Sequence, residues 1–326
     1  MKFNTPLLLS QPEHKISIKD KILTIGSCFS DSIGNKLIEN KFDTLANPFG
    51  TIFDPLSISR VLSYSLNNQS PSPQSYVFSQ GVYKNLEVHS SFTGLSPDEL
   101  TLKIKARLTS THDFLTDAEW IIITFGTAFV YQHKESKTNI ANCQKLPSLD
   151  FTKHLADKDE LQSDFQNLLD LLKKFNPDIK IVLTVSPVRH IADGLEENSI
   201  SKAILRQLCN DLAVRNRDVT YYPAYEIMMD DLRDYRFYKE DMIHPTDQAI
   251  DYIWQHFSSS FMDKSATEFM NKWSKIRRSL EHRPFNPTTE EHQTFLRNTL
   301  KELEGLSNKV DLRKEIEQIN KQITNN

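Results

Sequence analysis

Glycine is scarce in this chain. There are eight in 326 residues, where an average share of about 7% would give roughly 23. Collagen-like, Gly/Ser-linker and low-complexity architectures are excluded, as is a small barrel built on tight Gly turns. Each remaining glycine points to a backbone conformation or a close approach that a side chain would forbid. Cysteine is scarcer still. Cys28, Cys143 and Cys209 are an odd number at wide spacing, with no C-x-x-C. This argues against a disulfide framework and against a zinc or redox motif. No apolar run approaches the ~18–20 residues of a membrane span. The first fifteen residues carry only a short apolar patch at Leu7–Leu9, too short for a secretory h-region. A cytoplasmic location is expected. Positive charge is not in excess either. Lys and Arg total 39 against 43 Asp and Glu, a net charge of −4. Composition thus offers no electrostatic case for nucleic acid or an anionic membrane.

What is present is a globular core. Hydrophobic residues make up 38% of the chain, enough for one large domain or two smaller ones. Four apolar runs, at 21–25, 120–124, 180–185 and 219–222, read as parallel strands buried on both faces. Helical patterns lie between or after them, at 30–40, 155–175, 200–214 and 247–261. In the second, Leu161, Phe165, Leu168, Leu169, Leu171 and Leu172 share one broad face. Strands alternating with helices predict an α/β fold, a three-layer α/β/α sandwich around a mostly parallel sheet. We expect that domain over residues 1–262, with an irregular covering insertion near 59–116. A helical extension is expected over 263–326, with a helix at 264–280 broken by the segment from His282 to Pro287. Leucines at 296, 300, 303 and 306 follow. Leu312, Ile316, Ile319 and Ile323 then form an amphipathic stripe, which either packs on the domain or joins two copies in a homo-oligomer.

Open α/β sheets place their sites beyond the carboxyl ends of the strands. The four strand exits read Gly26-Ser27-Cys28, Gly126-Thr127-Ala128, Ser186-Pro187-Val188-Arg189-His190 and Pro223-Ala224-Tyr225-Glu226. Ser27 lies between a glycine and a helix start. Its Oγ can face a cleft while helix N–H groups hold an oxyanion. The same position equally suits a plain N-cap. A serine nucleophile needs a base, and Asp241-Met-Ile-His244 offers one. The carboxylate can reach Nδ1 of His244 and leave Nε2 for the serine proton. Cys28 is a less favoured alternative nucleophile, rotated roughly 100° from Ser27 on the helix. Arg189 and His190 stand at a strand exit, where they could bind substrate.

Gly26-Ser-Cys-Phe-Ser30 resembles the signature of the GSCFA family, with Ser in place of the final Ala. Asn47–Thr51, Thr124–Ala128, Ala141–Cys143, Thr184–Val188, Tyr222–Glu226, Asp241–Pro245 and the segment 282–285 are similar to it as well. Together they span from about residue 3 to the 290s, in order. The family stands with the SGNH, or GDSL-like, hydrolases. The resemblance implies an esterase that transfers an acyl group to water without metal or organic cofactor. The nucleophile would be Ser27, with Asp241 and His244 completing a triad. Ser27 and Gly50 would supply oxyanion N–H groups. The third SGNH donor is normally an Asn after the block III glycine, and here that exit reads Gly126-Thr127-Ala128. Gly126, Thr127, Asn142 or Asn47 would have to stand in, with Asn47, Arg189 and His190 as substrate contacts. The implied substrate is a small-molecule or carbohydrate acyl ester. An O-acyltransferase would use the same triad. A binding or scaffold module on a degenerate hydrolase fold is the rival from another class.

Overall fold

A computed structural model of the chain describes residues 5, 7–9, 11–282 and 284–323. Residue 3 and Arg283, both within the family resemblance, lie outside the described residues. Five parallel strands form the central sheet: β1 (Lys21–Gly26), β2 (Asp43–Ala46), β3 (Trp120–Phe125), β4 (Lys180–Val185) and β5 (Val219–Tyr222). Their spatial order is β5-β4-β3-β1-β2. Sequence patterning identifies four of them. It misses β2, whose four residues are an edge strand without an apolar run.

Each face of the sheet carries its own core. Leu23, Ile25, Ile121, Ile123, Ile181 and Leu183 point to one side. There they meet α2 (Pro55–Asn67), α3 (Pro97–Thr116), α4 (Lys158–Phe175) and α5 (Leu195–Arg215). Ile22, Trp120, Ile122 and Val182 point to the other. That side is covered by α1 (Cys28–Glu39) and α6 (Asp247–Phe261), and by α7 (Lys264–Glu281), α8 (Glu290–Leu306) and α9 (Arg313–Asn320). This is the three-layer α/β/α arrangement. Alternate strand residues serve opposite layers because successive side chains point to opposite faces. The segment 59–116 differs from expectation. Half of it is α-helical, a small three-stranded antiparallel sheet lies between the helices, and Leu100, Ile104, Leu108 and Leu115 of α3 are buried.

The helices after Asp263 share the second core. Leu296, Leu303, Leu306, Leu312 and Ile319 are buried in it with Phe29, Ile33 and Leu37 of α1. The indole N–H of Trp273 donates to the carbonyl of Glu39 at 2.7 Å, and Lys41 pairs with Glu315. The amphipathic stripe therefore packs on the chain's own domain. No helix among the described residues is long and apolar enough to cross a membrane.

Strand order reverses between β1 and β3. The crevice beyond their carboxyl ends is where doubly wound sheets bind ligands. The residues leaving those two strands are Gly26-Ser27 and Gly126-Thr127.

Candidate active site

The turn after β1 depends on a glycine. Gly26 has φ +138°, and a Cβ there would lie 2.1 Å from the carbonyl oxygen of Thr124. Its N–H donates to Asn47 Oδ1 at 2.8 Å. Ser27 then occupies the N-cap position of α1, with φ −66° and ψ 174°. Its hydroxyl makes no capping bond. Other helices of the chain use theirs: Asp54, Ser96, Asp157, Thr246, Asp263 and Thr289 all accept from an N–H of the first turn. Ser27 Oγ is fully buried and has no hydrogen-bond partner. The residue expected as a cap thus leaves its side chain uncommitted.

The D-x-x-H turn is built as its spacing predicts. Asp241 Oδ2 lies 2.7 Å from His244 Nδ1. Its Oδ1 accepts the N–H groups of Ile243 at 2.9 Å and His244 at 3.0 Å. These bonds to the charged form hold its carboxyl down at about 2. Met242, at φ 56°, makes the tight bend. The turn is fastened beside the exit of β4, where the Arg189 N–H donates to the Ile243 carbonyl at 3.3 Å. Nδ1 is engaged, and Nε2 of His244 bonds nothing among the described residues. No hydrogen bond joins it to Ser27, whose Oγ is sealed from solvent.

The expected oxyanion donors need correction. Backbone N–H groups can hold an oxyanion only if the fold leaves them free. Ser27 N–H donates to the Thr124 carbonyl at 3.1 Å, and Gly50 N–H donates to the Asn47 carbonyl at 2.8 Å. Gly126 and Thr127 N–H both donate to the Phe53 carbonyl, at 2.7 and 3.1 Å. The Thr127 hydroxyl is 3.1 Å from Ser201 Oγ and accepts from Phe129 N–H. Gly50 is required for another reason. It has φ +72°, and a Cβ there would meet His89 Cβ at 2.4 Å. Of the residues named, Asn142 alone keeps a donor. Its Oδ1 accepts from Gln144 N–H, while its Nδ2 has no partner among the described residues.

Asn47 is partly committed inside the fold, although it also lines a cavity of about 730 Å³ with Gly50, Ser91 and Arg107. Its Oδ1 accepts from Gly26 N–H and its Nδ2 donates to Asp31 Oδ1 at 2.7 Å, leaving one amide hydrogen without a partner among the described residues. Arg189 differs from the salt-bridged arginine that is the commoner outcome. Its guanidinium stacks on Tyr238 at 4.1 Å and Tyr235 at 5.0 Å, in a cavity of about 200 Å³. His190 lines a second cavity of about 320 Å³ with Asn142, Phe53, Phe129 and Tyr131. Its Nε2 is buried without a partner. Burial first, then the charge of Lys202, lowers its imidazole to about 4, so it is neutral at pH 7. Ser27 lines neither cavity.

Burial raises the Cys28 thiol above its ordinary range, and Asp31 pushes the same way. That is the reverse of an activated thiolate. Sequence reasoning missed Lys202. It lies on α5 and is 2% exposed, with Nζ donating to the carbonyls of Gly126 at 2.7 Å and Ser186 at 2.8 Å. Nothing in its neighbourhood in sequence marks it. Among the described residues, no group of three His, Cys, Asp or Glu could hold a metal ion.

Comparison with known proteins agrees with the motif resemblance. The model of the GSCFA family matches residues 21–257, and that of the GSCFA domain protein, C-terminal domain, matches residues 273–325. A comparison with curated proteins found no match. Solved structures with a similar fold include a carbohydrate esterase family 3 protein from Talaromyces cellulolyticus. It has 7% identity and a TM-score of 0.35, and the likeness covers 74% of this chain and 95% of that one. A family 3 carbohydrate esterase from Clostridium thermocellum has 12% identity and a TM-score of 0.31, over 75% and 96%. An acetyl xylan esterase from the rumen bacterium Butyrivibrio proteoclasticus has 14% identity and a TM-score of 0.33, over 80% and 64%. Likeness this distant identifies no substrate.

Proposed function

The chain belongs to the GSCFA family, and from that premise we propose a serine esterase of the SGNH type acting on a small acyl ester, with acylated carbohydrates as the leading class. One observation carries this reading. A fully buried hydroxyl at the switch point of the sheet, on Ser27, is left without any hydrogen bond. Six other buried hydroxyls, Ser30 and Thr124 among them, are likewise unpartnered, so what marks this one is its place, between Gly26 and the start of α1 beyond the carboxyl end of β1. The Asp241–His244 pair supplies the matching base, with Nδ1 anchored.

In this mechanism, His244 Nε2 takes the Ser27 proton as Oγ bonds to the ester carbonyl carbon. The carbonyl electron pair moves to oxygen. The tetrahedral anion then collapses, and the alcohol leaves with the proton from His244. Water, deprotonated by His244, attacks the acyl-enzyme and regenerates Ser27. A sugar hydroxyl in place of water would make the same site an O-acyltransferase. Because Ser27 is sealed, the cover over it must move before substrate reaches it. That sealing favours one rival, a binding module that has lost its chemistry.

A fluorophosphonate probe separates these readings. The esterase labels on Ser27, and Ser27→Ala abolishes labelling while raising the unfolding midpoint, because the orphaned hydroxyl is gone. Labelling that survives Ser27→Ala and disappears in Cys28→Ala transfers the role to the thiol. A protein that never labels, and releases no acetate from acetylated sugars, is the binding module.

A further inference from the structure

A lysine buried without an acid is an expensive way to hold two carbonyls together. Lys202 Nζ bridges Gly126 O and Ser186 O, which follow β3 and β4 directly. No carboxylate pairs with it among the described residues. The chain performs the same mechanical task elsewhere with neutral amides. Asn176 Nδ2 joins the carbonyls of Leu115 and Ala118, and Gln144 Nε2 joins those of Asn85 and Val88. An amide at 202 would serve for stapling. Burying an unpaired ammonium costs several kcal/mol more, so its charge requires a separate explanation.

The surroundings supply one. The strand exit that Lys202 holds by the Gly126 carbonyl is the one whose Thr124 carbonyl, two residues earlier, accepts the Ser27 N–H, and the charge of Lys202 acts on the adjacent Cys28 thiol. His190 is the other titratable group close by, and it is neutral. His244 and Lys153 act on His190 in turn, as does Asp193. The Tyr225 ring centre is 5.9 Å from Nζ. The four N–H groups expected to hold an oxyanion are all committed inside the fold. Negative charge forming at Ser27 is then left to the Asn142 amide, the first-turn N–H groups of α1 and any buried positive charge nearby.

We infer that Lys202 is a positioning residue of the Ser27 site, whose buried charge, acting across the strand exits it joins, stabilises the anion formed when Ser27 attacks. It transfers no proton. When protonated it provides a positive charge in a water-excluded setting, where such charges act most strongly on a transition state. Desolvation lowers its amine to about 7. Charge at Ser27 and charge at Lys202 then favour each other, and activity falls as pH rises past neutrality.

This inference rests on the esterase reading, and Lys202→Gln tests it apart from that reading. Gln keeps donors for the two carbonyls and removes the charge. Lys202→Met removes both. We expect fluorophosphonate labelling of Ser27, and kcat on an acetyl ester, to drop about 10²-fold in both variants, with KM little changed. The alkaline decline of the wild type should vanish in Lys202→Gln, and stability should fall mainly in Lys202→Met. Wild-type rates in a folded Lys202→Gln overturn the inference and leave a staple. Should neither variant fold, the wild type still decides. The 13C signal of the Lys202 ε-carbon should titrate at higher pH once water has released the remaining alkoxy group of the Ser27 adduct as its alcohol and left an anionic phosphonate, and an unmoved midpoint overturns the inference. A wild type that never labels at Ser27 sinks the esterase reading itself, and this inference with it.

Discussion

Asn47 holds Gly26 in place: its Oδ1 accepts the Gly26 N–H at 2.8 Å, while its Nδ2 donates to Asp31. The side chain stands at φ 39° in the loop after β2, and it fixes the residue preceding the candidate nucleophile from an adjacent strand. The Asn47→Ala variant strands a buried N–H and should lose about 1–3 kcal/mol of stability. Asn47→Asp keeps the acceptor but sets a second carboxylate beside Asp31, whose carboxyl is already raised by burial. Its deficit should narrow as pH falls and one of the two acids takes up a proton. Urea midpoints at pH 5 and pH 8 check both. Equal midpoints for Asn47→Ala and the wild type would mean the bond does no structural work.

Asp241→Asn should lower kcat by about 10³–10⁴, with KM and the folded circular-dichroism spectrum little changed, because the amide favours the wrong tautomer of His244. The carboxyl of Asp241 sits at about 2, below its ordinary 3.8. Its contribution to stability is therefore complete above pH 3.8 and fades as pH falls toward 2. An acid limb of activity near neutrality belongs to another group. A kcat indifferent to the substitution would remove Asp241 from the mechanism.

His190 gives the protein a pH-dependent stability of definite sign. Its folded value of about 4 lies below the ordinary 6.5. The unfolded chain therefore binds the extra proton first. The stabilisation is whole above pH 6.5 and is lost as pH falls toward 4, by at most on the order of 3 kcal/mol. His190→Leu should flatten the curve over that interval alone. Parallel curves for the two proteins in urea unfolding at pH 4, 5, 6 and 7 would show that the ring is not held neutral by the fold.

Local chemistry was legible in the sequence. β1, β3, β4 and β5 declare themselves by apolar runs. The Asp241–His244 contact spans three residues, so its geometry follows from spacing alone. α3 was missed although its signal was present: Ser96-Pro97-Asp98-Glu99 is a helix start, and Leu100, Ile104 and Leu108 recur every four residues. The oxyanion donors failed for a physical reason. Whether the N–H of Gly50 or Gly126 is free depends on which carbonyl approaches it. For Gly126 that carbonyl belongs to Phe53, 73 positions earlier in the numbering. Lys202 was invisible for the same cause. A lysine on a helix reads as solvated until two strand exits, 76 and 16 residues away, close over it.

The second core has a consequence for synthesis. The face of the sheet under α1 is completed by Trp273, Leu303 and Ile319, and Ile16 is bridged to Met262. Strand β1 precedes the rest of the sheet, and the layer over this face, begun by α1 and continued by α6, is closed only when Trp273, Leu303 and Ile319 have been added. Vectorial folding can finish the first layer, but the second must wait for the tail. The nascent chain should therefore be held by chaperones late into elongation, and a ribosome stalled near residue 260 should leave the protein open on that side.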